Sequence, residues 1–264
     1  MKRLIVSMTV VLGLMSGTPS NAGTDIHQEM IKSYNMGQGK DTKALVTMEL
    51  VDSDNSSKSC ELAMWRLQTG TAIKSLIRFL SPDKVKDMAF LSWQYKDKEN
   101  SQWLYLPGFN QVSKVSPSMQ SYSFAGDFAL CDIAPPHPDE FVHRLLGEEN
   151  INGYDCYKVE SIHKTYLDDP DFQQRKKFLY AKAISWISKD NHLLMKVDAF
   201  DPQGNVYKKF QALEVKQMDG ILTPVKMEMK DLKKKHKTIL TIKEVDHGAG
   251  LKDDMFSVDN LSPQ

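Results

Sequence analysis

The chain has 264 residues with 34 Lys and Arg against 34 Asp and Glu, so it carries no net charge. That balance excludes nucleic acid as the main partner, because phosphate binding calls for a clustered basic excess. The length supports a full hydrophobic core in one domain.

Lys2 and Arg3 precede an uncharged, mainly apolar run from Leu4 to Leu14, and Ser20-Asn21-Ala22 places small residues where a signal peptidase reads. The expectation is an export signal over residues 1–22, cleaved near Ala22, and one mature domain over 23–264. The apolar run is shorter than the roughly 20 residues of a transmembrane helix. No cysteine stands at the cleavage point, as a lipid-anchored amino terminus would require. Three cysteines follow, Cys60, Cys131 and Cys156. One disulfide with a free thiol and a set of free, buried thiols are both compatible with their spacing, which does not choose a pair.

From Asp25 to about Tyr34 the spacing of Ile26, Met30 and Tyr34 is helical, with Thr24 or Asp25 as cap and Gly37 and Gly39 as terminators. Period-two alternation then takes over: Ala44, Val46, Met48 and Leu50 share one face of a strand, and Asp52 to Ser57 reads as a turn. Strands are expected over 58–68, 72–80, 88–95 and 102–106, with a break at Ser81-Pro82-Asp83-Lys84, where proline cannot continue a central ladder. In the last of these, Trp103 and Tyr105 face one way and Leu104 and Leu106 the other, so both faces need cover. A Ser-rich connection over 113–123 leads to an aromatic and acidic cluster of Phe124, Asp127, Phe128 and Asp132.

Beyond the stiff Ala134-Pro135-Pro136-His137-Pro138 segment, Asn152-Gly153 signals a two-residue hairpin. Tyr166 to Lys177 reads as an exposed loop. Strands are then expected over 183–188, 193–200, 206–215, 224–231 and 237–245, each joined by turn residues suited to antiparallel pairs. No linker divides the chain. The expectation is one large, strongly curved, mainly β antiparallel sheet with few helices.

Asp132, His137 and His143 are the nearest approach to a metal site, yet they straddle a Pro-rich loop and match no zinc spacing. Cys131, Asp132 and His137 resemble a nucleophile and base only by proximity; the serines lack a Gly-x-Ser-x-Gly elbow, and no phosphate-cradling glycine pattern occurs. Catalysis, metal and cofactor are therefore not expected. The run Lys233 to Lys237 is open to two readings, a solvated hairpin tip or a contact for anionic headgroups or an acidic partner. Met48, Met64, Met88, Met195, Met227 and Met229 fall on strands, where flexible thioethers suit either an adaptable cavity or an ordinary core.

In order along the chain, Trp103-Leu104-Tyr105-Leu106-Pro107, then Gly126-Asp127-Phe128 and Asp132-Ile133, resemble the Tyr-Leu-Pro and Gly-Ser-Asp-Phe-x-x-x-Asp-Leu pair of the outer-membrane lipoprotein-sorting proteins, in the LolA/LolB-like superfamily. Arg78 to Pro82, Ile151 to Tyr157, the Asp201 to Gly204 turn with Lys208, and Asp254-Met255-Phe256 with Leu261 extend the resemblance over nearly all of the mature chain. Ala129-Leu130-Cys131 replaces the family's Ser-Tyr-Glu, and Val112-Ser113-Lys114 its arginine-rich strand end.

The resemblance implies an incomplete, half-open β-barrel wrapping a hydrophobic cavity, in the periplasm, that carries a lipid, a lipoprotein acyl chain or another apolar ligand through transient membrane contact. Members of this branch are also associated with inner-membrane export pumps, so an adaptor docking on such a transporter through its apolar surface is the second reading. Trp103, Tyr105, Leu106, Phe124 and Phe128 are the expected ligand-binding or lid residues. Asp127 and Asp132 are expected to fix the flap by accepting backbone hydrogen bonds.

Overall fold

The computed structural model describes residues 23–36, 40–116, 119–168 and 180–263. Asp25 caps the first helix, α1 (Ile26–Asn35), by accepting a bond from the Gln28 amide at 3.2 Å, which satisfies one of the free N–H groups of the first turn. Gly37 and Gly39, expected to end it, lie outside the described residues, as does the expected export signal over 1–22.

A first meander follows: β1 (Asp41–Val51), β2 (Ser57–Gln68), β3 (Ala72–Ser81), β4 (Ala89–Tyr95), β5 (Ser101–Leu106) and β6 (Gln111–Lys114). Alternation works as expected in β1, where Thr42, Ala44, Val46 and Met48 are buried on one face. A small hairpin of β7 (Ser123–Ala125) and β8 (Phe128–Ala129) stands apart from the main sheet and leads into one turn of helix, α2 (Leu130–Ile133).

The second meander is β9 (Phe141–Ile151), β10 (Tyr154–His163), then after a short helix, α3 (Lys164–Asp168), β11 (Lys182–Ser188), β12 (Leu194–Phe200), β13 (Val206–Met218), β14 (Ile221–Asp231) and β15 (His236–His247). Asn152 and Gly153 turn β9 into β10 with φ of 53° and 89°, the left-handed pair that a tight hairpin demands. Strands β13 and β14 run further than the expected 206–215 and 224–231, up to the Asp219-Gly220 turn. Pro224 is tolerated inside β14 because it sits opposite Val215 at a shift in the ladder, where an N–H is dispensable. The expected exposed loop from Tyr166 is corrected at its start: Tyr166 lies in α3 and is buried. Residues 169–179 lie outside the described residues.

The last strand closes on the first. β15 pairs with β1, joining the two meanders into a 13-stranded antiparallel sheet ordered β6-β5-β4-β3-β2-β1-β15-β14-β13-β12-β11-β10-β9. Its terminal strands β6 and β9 do not pair, so the curved sheet stays an open barrel.

Both faces of the first meander are covered. On the inner face Val46, Leu62, Phe79, Phe90 and Leu104 pack against Phe124, Phe128 and Leu130 of the β7–β8 hairpin and α2. On the outer face Leu67, Leu76, Leu91 and Tyr105 pack against Phe256 and Leu261 of the carboxy-terminal segment. That segment is pinned by Trp93 Nε1 donating to the Phe256 carbonyl and Arg78 Nη2 donating to the Asn260 carbonyl, each at 2.9 Å. A third cluster, with Cys156, Trp186 and Met195, stabilises the second meander.

Candidate functional site

The flap formed by β7, β8 and α2 fills one part of the trough, and a cavity of about 580 Å³ occupies the inner face beside it. This is within the range of roughly 300–1,000 Å³ usual for small-ligand sites. The walls are mostly aliphatic. Ala44, Met64, Ile73 and Ile77 come from the first meander, Ile187, Val197, Met227, Met229, Leu240 and Ile242 from the rest of the sheet, and the paired Ala183 and Ala199 leave the wall thin where β11 meets β12.

Helix α1 bounds one side and supplies Met30 and Tyr34. It buries no residue completely, and polar side chains tie it down. His27 Nε2 lies 2.9 Å from Asp139 Oδ1, His192 Nδ1 lies 2.8 Å from Glu29 Oε2, and the Tyr34 ring meets His137 edge-on at 5.1 Å. Burial raises the Tyr34 phenol to about 12. The adjoining turn carries Glu140, whose carboxyl is held below its usual range by a hydrogen bond from His163, against burial, with further help from the His137 amide. A lowered carboxyl stabilises the fold fully above the ordinary carboxylate range and loses that contribution as pH falls through the lowered value. Glu140→Gln is therefore expected to melt below the parent at neutral pH and to converge with it in strong acid, as thermal denaturation across that range would show.

The flap is anchored through its acidic residues. Gly126 adopts φ +62° and brings the backbone against Thr238 of β15. The Asp127 amide donates to Thr238 Oγ1 at 2.8 Å, and that hydroxyl donates to Asp127 Oδ2 at 2.9 Å. His236 Nδ1 lies 2.6 Å from Asp127 Oδ1. Lys208, buried on β13, donates to the Asp127 carbonyl at 2.6 Å and reaches Asp132 Oδ2 at 3.4 Å. Asp132 also accepts from the Ala129 amide at 2.8 Å and from the Tyr180 hydroxyl at 2.6 Å. Burial, then the Asp132 charge, pushes both the Tyr180 phenol and the Cys131 thiol far above their usual ranges. Cys60, Cys131 and Cys156 are all free thiols, and burial raises Cys156 to about 11. His137 caps the Pro138–Glu140 turn, while His143 bonds to Ser161 and to the Pro138 carbonyl. No His, Cys and carboxylate cluster of metal-binding form occurs among the described residues.

The structure thus brings Phe128 and Asp132 to the cavity wall. Phe124 sits behind them, between Phe79 and Phe90 at 5.5 Å from each. Trp103 and Tyr105 point to the outer face, Trp103 against Trp93 at 4.7 Å, and half-buried Leu106 ends β5 away from the cavity wall. Arg66, Tyr34, Ala183 and Ala199 belong to the wall and escape motif reading. For Arg66 a signal exists, since it shares strand parity with Leu62 and Met64.

A family model described as an uncharacterized protein matches residues 72–263. No curated protein matches the chain significantly. Among solved structures, a DUF1329 family protein from Desulfovibrio piger superposes with a TM-score of 0.79 at 24% identity, covering 89% of this chain and 97% of the other. An outer membrane lipoprotein-sorting protein domain from Vibrio parahaemolyticus gives 0.78 at 23% identity, covering 89% and 97%. A LolA superfamily protein from Nitrosomonas europaea gives 0.66 at 19% identity, covering 89% and 98%. The chain belongs to the uncharacterized family whose model spans its strands from β3 onward, and its fold is that of the LolA-like lipoprotein-sorting structures its motifs resemble.

Proposed function

We propose that the protein is a periplasmic carrier or binding protein for a lipid, a lipoprotein acyl chain or a similar apolar ligand, and that it performs no catalysis. The observation that carries this reading is the aliphatic cavity on the inner face of an open sheet. Each buried methylene is worth about 0.8 kcal/mol, so an alkyl chain leaves a membrane only for a wall of comparable apolarity. In this reading residues 1–22 direct export, Phe128 touches the ligand, and Asp127 and Asp132 hold the flap that presents it. Phe124 braces Phe128 from behind, while Trp103, Tyr105 and Leu106 stiffen the adjoining strand.

Uptake of a pyrene-labelled acyl chain from lipid vesicles tests the reading. Ala183→Trp places an indole in the cavity and displaces several methylenes, so uptake affinity is expected to fall about tenfold or more while the melting temperature stays close to the parent's. Unchanged uptake by this variant would exclude the cavity as the binding site.

A second reading, an adaptor docking on an inner-membrane export pump, is favoured by the edge strand β9. Val142, Leu145 and Leu146 there are 46%, 40% and 40% exposed, and among the described residues β9 has only β10 as a strand neighbour. An exposed apolar edge invites a partner strand. Cross-linking from position 145 in intact cells would capture the transporter if this reading holds.

A further inference from the structure

Arg66 is out of place in a site built for an acyl chain alone. It stands on β2 between Thr42 of β1 and Ser75 of β3, and lines the cavity. Its Nη1 is closed off from solvent and has no hydrogen-bond partner. The other cations of the wall are answered within the protein: Lys208 reaches Asp132, and Lys182 lies 3.1 Å from Glu160. No carboxylate among the described residues pairs with Arg66; Tyr34 is the titratable group acting on it, and burial pushes the guanidinium pKa down. An arginine nevertheless stays charged at physiological pH, and closing part of that charge off from water without a partner is costly.

Tyr34 adds a second donor. Its oxygen accepts from Gln94 Nε2 at 3.0 Å, and the same amide donates to the Pro135 carbonyl at 2.9 Å. The Tyr34 hydroxyl proton is left to point elsewhere. Two donors without a protein acceptor among the described residues therefore mark one polar part of a mostly apolar cavity wall.

We propose that the cavity's ligand is an anionic amphiphile whose alkyl chain fills the apolar body and whose carboxylate or phosphate is held by Arg66, with Tyr34 donating beside it. A guanidinium offers paired N–H groups that match either oxyanion bidentately. This rests on the carrier reading and names the chemistry of its ligand. Neutral lipids of the same chain length lack the group that answers Arg66 and bind more weakly.

The test is calorimetric titration of the delipidated full-length mature protein with palmitate and with hexadecyl phosphate, and with hexadecanol as the uncharged chain of the same length. Palmitate or hexadecyl phosphate is expected to bind about tenfold or more tighter than hexadecanol, as a charge-assisted hydrogen bond supplies; whichever shows the gain identifies a fatty acid or a phosphate-headed lipid as the source. Arg66→Met is expected to erase the gain while leaving hexadecanol affinity intact, and Arg66→Lys to retain part of it. Equal affinity of the parent for palmitate, hexadecyl phosphate and hexadecanol overturns the proposal and leaves the carrier reading standing, and that comparison needs no variant. Equal loss of all three ligands in a folded Arg66→Met would also overturn it, assigning Arg66 a structural role. Failure of every ligand to bind the parent overturns both.

Discussion

Gly126→Ala is expected to lower the unfolding free energy by about 2–5 kcal/mol. The residue sits at φ +62°, where a side chain is strained by roughly 1–2 kcal/mol. The added carbon would also collide with Thr238 Oγ1 and approach Thr238 Cγ2 to 3.0 Å. Thr238 is fully buried in β15 and cannot swing away without breaking its two hydrogen bonds to Asp127, and overpacking of this kind costs about 1–3 kcal/mol. Urea denaturation measures the loss. The mechanism makes a second demand: because the clash and the hydrogen bonds share one hydroxyl, Gly126→Ala and Thr238→Ala must be non-additive, the double variant losing clearly less than the sum of the singles. Additive losses would mean that the flap does not bear on Thr238.

The second large effect falls on Asp132. Asp132→Ala removes the carboxylate that answers buried Lys208 and takes away the acceptor of the Tyr180 hydroxyl and the Ala129 amide. Lys208 then keeps the Asp127 carbonyl but no counter-charge. Breaking a buried pair from one side costs about 3–5 kcal/mol. Asp132→Asn keeps an oxygen acceptor and is expected to lose less. The flap should also loosen, so the Cys131 thiol, held far above its usual range by burial and by Asp132 itself, should alkylate faster in the alanine variant. A loss below about 1 kcal/mol, with alkylation unchanged, would show that Lys208 and Asp132 do not hold the flap.

Much of the architecture is legible in the sequence because alternation and turn chemistry are local. Asn152-Gly153 and Asp219-Gly220 mark their hairpins, and β1 shows its buried face by parity alone. The strand containing Trp103 and Tyr105 reads as needing cover on both sides, and it has it: Leu104 meets the flap, while Trp103 and Tyr105 meet the segment around Phe256 and Leu261. Parity cannot say which of two apolar faces looks onto a cavity, since that depends on where a distant segment lies down. For the same reason the methionines divide: Met64, Met227 and Met229 line the cavity, whereas Met195 is packed in the third cluster with Cys156 and Trp186.

The charged positions were legible in type and not in partner. Asp132 accepts a backbone bond, from the Ala129 amide, whereas the Asp127 carboxylate accepts from the Thr238 hydroxyl instead, and the partners of the two, Thr238, His236, Lys208 and Tyr180, come from distant parts of the chain. The basic run at Lys233 is partly answered by its own chain, with Lys233 at 2.8 Å from Asp201 and Lys234 at 3.8 Å from Asp231. Arg66 could have been noticed as an arginine on an apolar face. That its Nη1 finds no hydrogen-bond partner among the described residues is a three-dimensional fact.

Native mass spectrometry of the protein released from the cell envelope without detergent is the most direct measurement of whether this cavity carries a lipid. The expected spectrum contains a species heavier than the mature chain by one amphiphile, removable by organic extraction, restored by incubation with lipid vesicles and absent from Ala183→Trp. A spectrum of the bare chain alone, both as isolated and after incubation with vesicles, would contradict the carrier reading.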